Sequence, residues 1–194
     1  AAFSTAEIAA IATSALNGLT SDVVTSLVSS QISALTKNQV AALTTSKVAL
    51  LESSQIEALS TTQLSGLSLP QMQAISTSAI VGLSTGQIAS LAALQVGVLS
   101  TDQIAALSSS QIEALSSAQI GALSSAQIAA MSSDEIQTFT TAELGSIRTA
   151  ALAGLATEDL AALSSDQVRG FTDTQIPNFS GDQVAVIIDR YNSV

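Results

Sequence analysis

The sequence contains neither histidine nor cysteine. Imidazole acid–base catalysis, His/Cys metal sites, thiol nucleophiles and disulfides are therefore excluded. Charge is scarce as well: five Lys and Arg stand against fifteen Asp and Glu, for a net charge of -10, and charged residues make up 10% where about 25% is usual. So few cations cannot form the basic patch that a nucleic acid or an anionic membrane requires. Although 47% of residues are hydrophobic, Ser, Thr or Gln recurs every few positions, so no run approaches the ~18 apolar residues of a membrane span. Neither nucleic-acid binding nor membrane insertion is expected. The chain opens Ala1-Ala2-Phe3 with no initiator Met, basic segment or apolar signal stretch, as a mature product or excised segment would. The lack of cysteine fits an oxidising exterior and a reducing cytoplasm equally.

What is present is a repeat. Leu107 to Ala114 reads LSSSQIEA, followed by LSSAQIGA, LSSAQIAA and MSSDEIQT. Counting outward, residues 3 to 194 divide into 24 octads without an inserted or deleted residue, the last, from Ile187, being degenerate. With Leu107 as position 1, that position is Leu, Ile, Met or Phe in all 24 octads, and position 6 is aliphatic in 23, failing only at Asn192. Position 2 is Ser or Thr in 17, position 5 is Gln in 14, and position 8 is Ala, Gly or Ser in 18.

These preferences spell a helix start. Ser or Thr followed three residues later by Gln or Glu is a capping box, in which the hydroxyl accepts from the N3 amide and the N3 side chain returns to the cap amide. With the cap at position 2, the aliphatic residues at 1 and 6 form the hydrophobic staple. The acids agree with this frame: Asp22, Asp102, Asp134, Glu158, Asp166 and Asp182 fall at N2, Glu7, Glu135, Glu143 and Asp159 at N3, and Asp173 and Asp189 at N1, where the helix dipole favours them. Pro70 falls at N2, where its missing N–H breaks no bond. The next start arrives before any helix exceeds about six residues. Such helices are too short to stand alone and must stack.

A β-solenoid would need strict alternation, whereas the large apolar residues are separated by five and then three positions. The expected fold is therefore all-α, a solenoid or superhelix of about 24 very short capped helices, one per repeat. It forms a single array over 1–194, regular over 3–186 and closed by a degenerate C-terminal cap at 187–194. Positions 1 and 6 are expected inside, with 3, 4 and 7 in water. The number of octads per superhelical turn stays open. Three octads share a variant: Ile11 with Ala15 and Gly18, Ile75 with Ala79 and Gly82, and Ile147 with Ala151 and Gly154. Each replaces Gln by Ala and ends in Gly, which points to a locally tighter or closer-packed turn, or to a recurring contact surface.

The pattern L-[ST]-x-x-Q-[IV]-x-[AG], present throughout residues 3 to 194, resembles the Ala/Ser/Thr/Gln-rich octapeptide-repeat arrays of large secreted or surface-exposed bacterial proteins. That resemblance implies an extracellular, adhesin-like or surface-layer-like repeat region and supplies no ligand. Single octads such as Leu35 to Ala42, LTKNQVAA, also look like the LTxxQVxAI segment of TAL effector repeats. Period and charge depart from that family, and the shared feature is helix capping.

No catalytic, cofactor-binding or metal-ligating residue is expected, and no cofactor. The adjacent acids Asp134-Glu135 and Glu158-Asp159 sit where the dipole explains them, and acids mostly recur one per octad, too sparsely for calcium. Position-3 hydroxyls such as Thr101, Ser109, Ser117 and Ser125 are free of capping and could face ice or glycans. Lys37, Lys47, Arg148, Arg169 and Arg190 form no stripe. The aromatic residues are Phe3, Phe139, Phe171, Phe179 and Tyr191, four of them at position 1 and so destined for the core. The expected function is a noncatalytic structural repeat, an extracellular or cell-surface spacer, stalk or self-assembling component, whose partners are itself or flanking domains. The alternative is a binding or adhesion module recognising a peptide or glycan along the solenoid.

Overall fold

The structure, a computed structural model, describes residues 3–193. Ala1 and Ala2 of the chain opening, and Val194 at the end of the final octad, lie outside the described residues. Among the described residues every regular element is helical: 21 α-helices and two 3-10 helices. All but the last are three to six residues long. The octad frame accounts for their starts. Ser84 Oγ accepts from Gln87 N at 3.2 Å while Gln87 Oε1 accepts from Ser84 N at 2.7 Å, opening the helix Thr85–Ser90. Equivalent reciprocal pairs open Lys37–Ala42, Thr61–Leu64, Thr101–Ala106 and Ser165–Val168. Truncating one such hydroxyl, Ser84→Ala, is expected to cost about 1 kcal/mol, read as a lowered urea midpoint.

Where position 2 lacks a hydroxyl, the N3 side chain alone suffices: Gln31 Oε1 accepts from Val28 N and Gln95 Oε1 from Ala92 N, both at 2.9 Å. Where both halves are missing the outcome varies: at Ala12 and Ala15 the α-helix Thr13–Leu16 still starts in frame. At Arg148 and Ala151 the helix is 3-10, over Thr149–Gly154. At Ile188 and Tyr191 no new helix starts, and Gly181–Asn192 runs on for 12 residues. The degenerate end is thus one longer helix. Pro177, with no N–H to give, reduces the preceding octad to the 3-10 helix Ile176–Asn178.

The chain forms two compact units, Ala1–Leu99 and Ser100–Val194. In the first, each helix lies beside the third one onward: Thr5–Ala10 against Ser29–Ala34, Thr13–Leu16 against Lys37–Ala42, and Ser53–Glu57 against Thr77–Ile80. In the second, Ser117–Ile120 lies against Thr141–Ser146 and Ser125–Ile128 against Thr149–Gly154, while Gly181–Asn192 packs on Thr157–Ala162 and Ser165–Val168. Within each unit, a turn therefore holds between three and four octads.

Position 6 is the innermost: Leu16, Val48, Ile56, Leu64, Met72, Ile80, Ile88 and Val96 in the first unit, and Ile128, Ile136, Leu144, Leu152 and Leu160 in the second, are completely buried. Position 1 is buried from Leu27 onward, but Phe3, Ile11 and Leu19, which have no turn of this chain before them, are partly exposed. Position 1 thus packs against the preceding turn, and the core is a file of aliphatic side chains along each unit.

Candidate functional site

The feature that organises the molecule is the glutamine at position 5. Its Oε1 caps its own helix, as expected, but its Nε2 reaches into the preceding turn. Gln71 Oε1 accepts from Ser68 N at 2.8 Å, and its Nε2 donates to the carbonyls of Val40 at 3.1 Å and Leu43 at 2.7 Å, 31 and 28 residues earlier. Gln39 binds Ile8 and Ile11 in the same way, Gln55 binds Val24 and Leu27, and Gln95 binds Leu64 and Leu67. In the second unit Gln175 binds Leu144 and Ile147, and Gln183 binds Leu152 and Leu155. Of the two carbonyls that Gln71 reaches, Leu43 O has no backbone donor of its own, being past the end of its short helix, whereas Val40 O also accepts from Leu43 N at 3.2 Å. The glutamines are buried with every polar atom paired, Gln39 and Gln175 being 2% exposed.

The basic residues join this scheme. Lys47 stands at position 5 and its Nζ donates to Asn17 O at 3.0 Å; Arg148 Nη2 donates to Ala122 O at 2.6 Å; Arg190 Nε donates to Leu163 O at 2.8 Å. Three of the five cations are thus donors to carbonyls of the preceding turn. Arg169 pairs with Asp166 at 3.1 Å and lies 5.0 Å from the Tyr191 ring centroid.

The acids are dispersed. Glu135 and Glu143 cap their helices through Ser132 and Thr140. Asp159 is buried, accepting from Ala156 N at 2.7 Å and Ser133 Oγ at 2.6 Å. Its neighbour Glu158 is exposed, as is Asp134. Among the described residues no group of three or more Asp and Glu gathers where a metal could bind. Glu7 accepts from the Ser4 backbone N–H at 2.7 Å and the Ser4 hydroxyl at 2.8 Å, and these bonds hold its carboxyl below the ordinary carboxylate value. That contribution is present above the ordinary value and is lost as pH falls through the lowered one. Protection factors of the amides in Thr5–Ala10, corrected for the slowing of intrinsic exchange in acid, are therefore expected to fall on acidification.

The position-3 hydroxyls do not form a uniform array, since Thr101 and Ser109 are exposed but Ser117 and Ser125 half-buried. Phe139 is buried, and Phe171 meets Phe179 edge-on with centroids 4.9 Å apart. Phe3 and Tyr191 remain 40% and 52% exposed. Tyr191 lines, with Ile176, Val184, Ile187, Ile188 and Asn192, an apolar cleft of about 280 Å³ on the last helix.

The variant octads are sites of close approach. A Cβ on Gly82 would lie 2.2 Å from Ser53 O, and one on Gly154 2.1 Å from Ser125 O. Neither glycine has a positive φ, so what is required is the absence of a side chain between turns and not a special backbone conformation. Gly18, which has no earlier turn beside it, meets only Ala15 O.

Among the described residues no helix is long and apolar enough to cross a membrane. The sequence pattern of the ALTTAQ repeat matches residues 80–109, 106–141 and 152–186, together half of the chain. No curated protein matches the sequence significantly.

Proposed function

The chain belongs to the ALTTAQ repeat family, and from that premise we propose that it is a noncatalytic structural array, a spacer, stalk or self-assembling component outside a bacterial cell. The supporting observation is the glutamine ladder. Amide and even guanidinium groups that could serve chemistry are engaged in joining one turn to the next, while the position-2 hydroxyls cap their own helices. Such an array carries load through repeated identical joints, each yielding independently. Pulling on its termini should release length in steps of about 28 residues, ~90–100 Å each. Release of all turns in a single event would contradict the reading.

The extracellular placement rests on the resemblance to secreted octapeptide arrays, and protease treatment of intact cells tests it: protection of the array until lysis would remove it. The self-assembling form predicts concentration-dependent growth, so a monodisperse monomer at high concentration would eliminate that form alone. A second reading, an adhesion module for a peptide or glycan, draws support from surface clefts beside the variant octads.

A further inference from the structure

The variant octads beginning at Ile75 and Ile147 lie nine repeats apart, and the same arrangement is built around both. Helix Ser53–Glu57 packs on Thr77–Ile80 in one unit, as Ser125–Ile128 packs on Thr149–Gly154 in the other. Gly82 and Gly154 admit the backbones of Ser53 and Ser125. Beside each glycine opens a cleft over corresponding residues: Leu51, Glu52, Ser53, Ser76 and Ser78 in the first unit, and Leu123, Ser124, Ser125, Arg148 and Ala150 in the second. Their volumes are about 500 and 260 Å³.

The clefts exist because Ala79 and Ala151 replace the ladder glutamine and leave the carbonyls of the preceding turn without its amide. In the second cleft a side chain of the protein reaches one of the two ladder carbonyls, that of Leu123, together with its neighbour, that of Ala122. Arg148 Nη2 donates to Ala122 O at 2.6 Å and to Leu123 O at 3.4 Å. In the first cleft Ser76 occupies the place of Arg148, and its hydroxyl is engaged with Ser78 Oγ at 3.0 Å and Ala79 N at 3.1 Å. Among the described residues no protein donor reaches the equivalent carbonyls, Leu50 O and Leu51 O. Glu52 stands where the other cleft has Ser124, adding an exposed negative charge at the rim.

We propose that the cleft over Leu51 and Glu52 binds a guanidinium group, taking from outside the place that Arg148 fills from inside the chain nine octads later. The guanidinium fork presents several N–H donors in a plane and so can address two successive carbonyls. Its charge stays fixed at any working pH, and Glu52 provides the counter-charge. The equivalent cleft is the template for the geometry. The site is independent of the spacer reading, since a spacer can carry an attachment point.

The test is a titration of the ¹⁵N-labelled full chain with agmatine, a free guanidinium, and with acetyl-arginine amide, a peptide-borne one; acetyl-alanine amide is the control. Saturable shifts are expected for Leu50 to Ser53 and Ser76 to Ala79 with both guanidinium probes and not with the control. The tighter binder shows whether the site takes a free guanidinium or an arginine side chain. Ser76→Arg should abolish the shifts by filling the cleft, and Glu52→Gln should weaken binding roughly two- to fivefold. Arg148→Ser, which does not touch the first cleft, should create new shifts at Ala122 to Ser125. Shifts scattered over the exposed acids, shifts that persist in Ser76→Arg, or none appearing in Arg148→Ser would overturn the proposal.

Discussion

Gln71→Glu is expected to destabilise the protein by about 3 kcal/mol at pH 7, although it changes one atom and preserves the capping box. The carboxylate still accepts from Ser68 N, but it has no proton to give to Val40 O and Leu43 O, and it must hold a charge in a position only 3% exposed. Leu43 O is left without a donor, at a desolvation penalty of about 1–3 kcal/mol relieved in part by relaxation, while Val40 O keeps its bond from Leu43 N; the buried charge adds the rest. The sign of the pH dependence follows. Burial against two carbonyl oxygens raises the introduced carboxyl above its unfolded value of ~4.3. Below that value the group is protonated in both states and supplies a donor, so the deficit is smallest in acid; it grows as pH rises through the folded-state value. Comparing variant with parent at each pH, by urea denaturation, cancels the titration of the native acids. A deficit that is the same at pH 4 and pH 7 would show that Gln71 serves only as a cap.

The second large effect is a contrast between two glycines four residues apart, in consecutive octads. Gly82→Ala places a Cβ 2.2 Å from Ser53 O, 2.7 Å from its carbonyl carbon and 2.9 Å from its Cα. The obstacle is backbone, which no rotamer change relieves, so the turns must part at a cost of about 3 kcal/mol. Gly86→Ala meets nothing within 4 Å and lies inside the helix Thr85–Ser90. There Ala is the better helix former by about 1 kcal/mol, so this variant should be more stable than the parent. The same chemical change is thus expected to lower the thermal midpoint at one position and raise it at the other. Equal effects would mean that Gly82 serves the local chain and not the approach of two turns.

The sequence made the helix starts legible because they are local. Ser84 and Gln87 are three residues apart, the staple Leu83 and Ile88 five, and each octad carries its own complete signal. The same frame located Pro70 and the first-turn acids apart from two: Asp189 lies within the helix Gly181–Asn192, and no helix starts at Asp173, whose octad forms only the 3-10 helix Ile176–Asn178. What it could not supply was the size of the turn, which is fixed by contacts 24 to 31 residues apart to which no single octad bears witness. A trace was nonetheless present. A capping box accepts Glu as readily as Gln, yet position 5 holds 14 Gln and only three Glu, at Glu7, Glu135 and Glu143. The preference for the amide over the acid makes sense only if the second half of the side chain must donate. At Glu135 and Glu143 the caps form through Ser132 and Thr140, and among the described residues neither side chain reaches back to the preceding turn. Likewise Lys47, Arg148 and Arg190 look scattered in sequence because their common role, giving protons to carbonyls 30, 26 and 27 residues earlier, is visible only in three dimensions.

The side-chain amide protons of Gln39, Gln71 and Gln95 provide the most direct test. If they bridge turns, they should exchange slowly with solvent and show NOEs to Ile8 and Ile11, to Val40 and Leu43, and to Leu64 and Leu67, respectively. Exchange at the rate of a free amide, with contacts confined to the residue's own octad, would contradict the account.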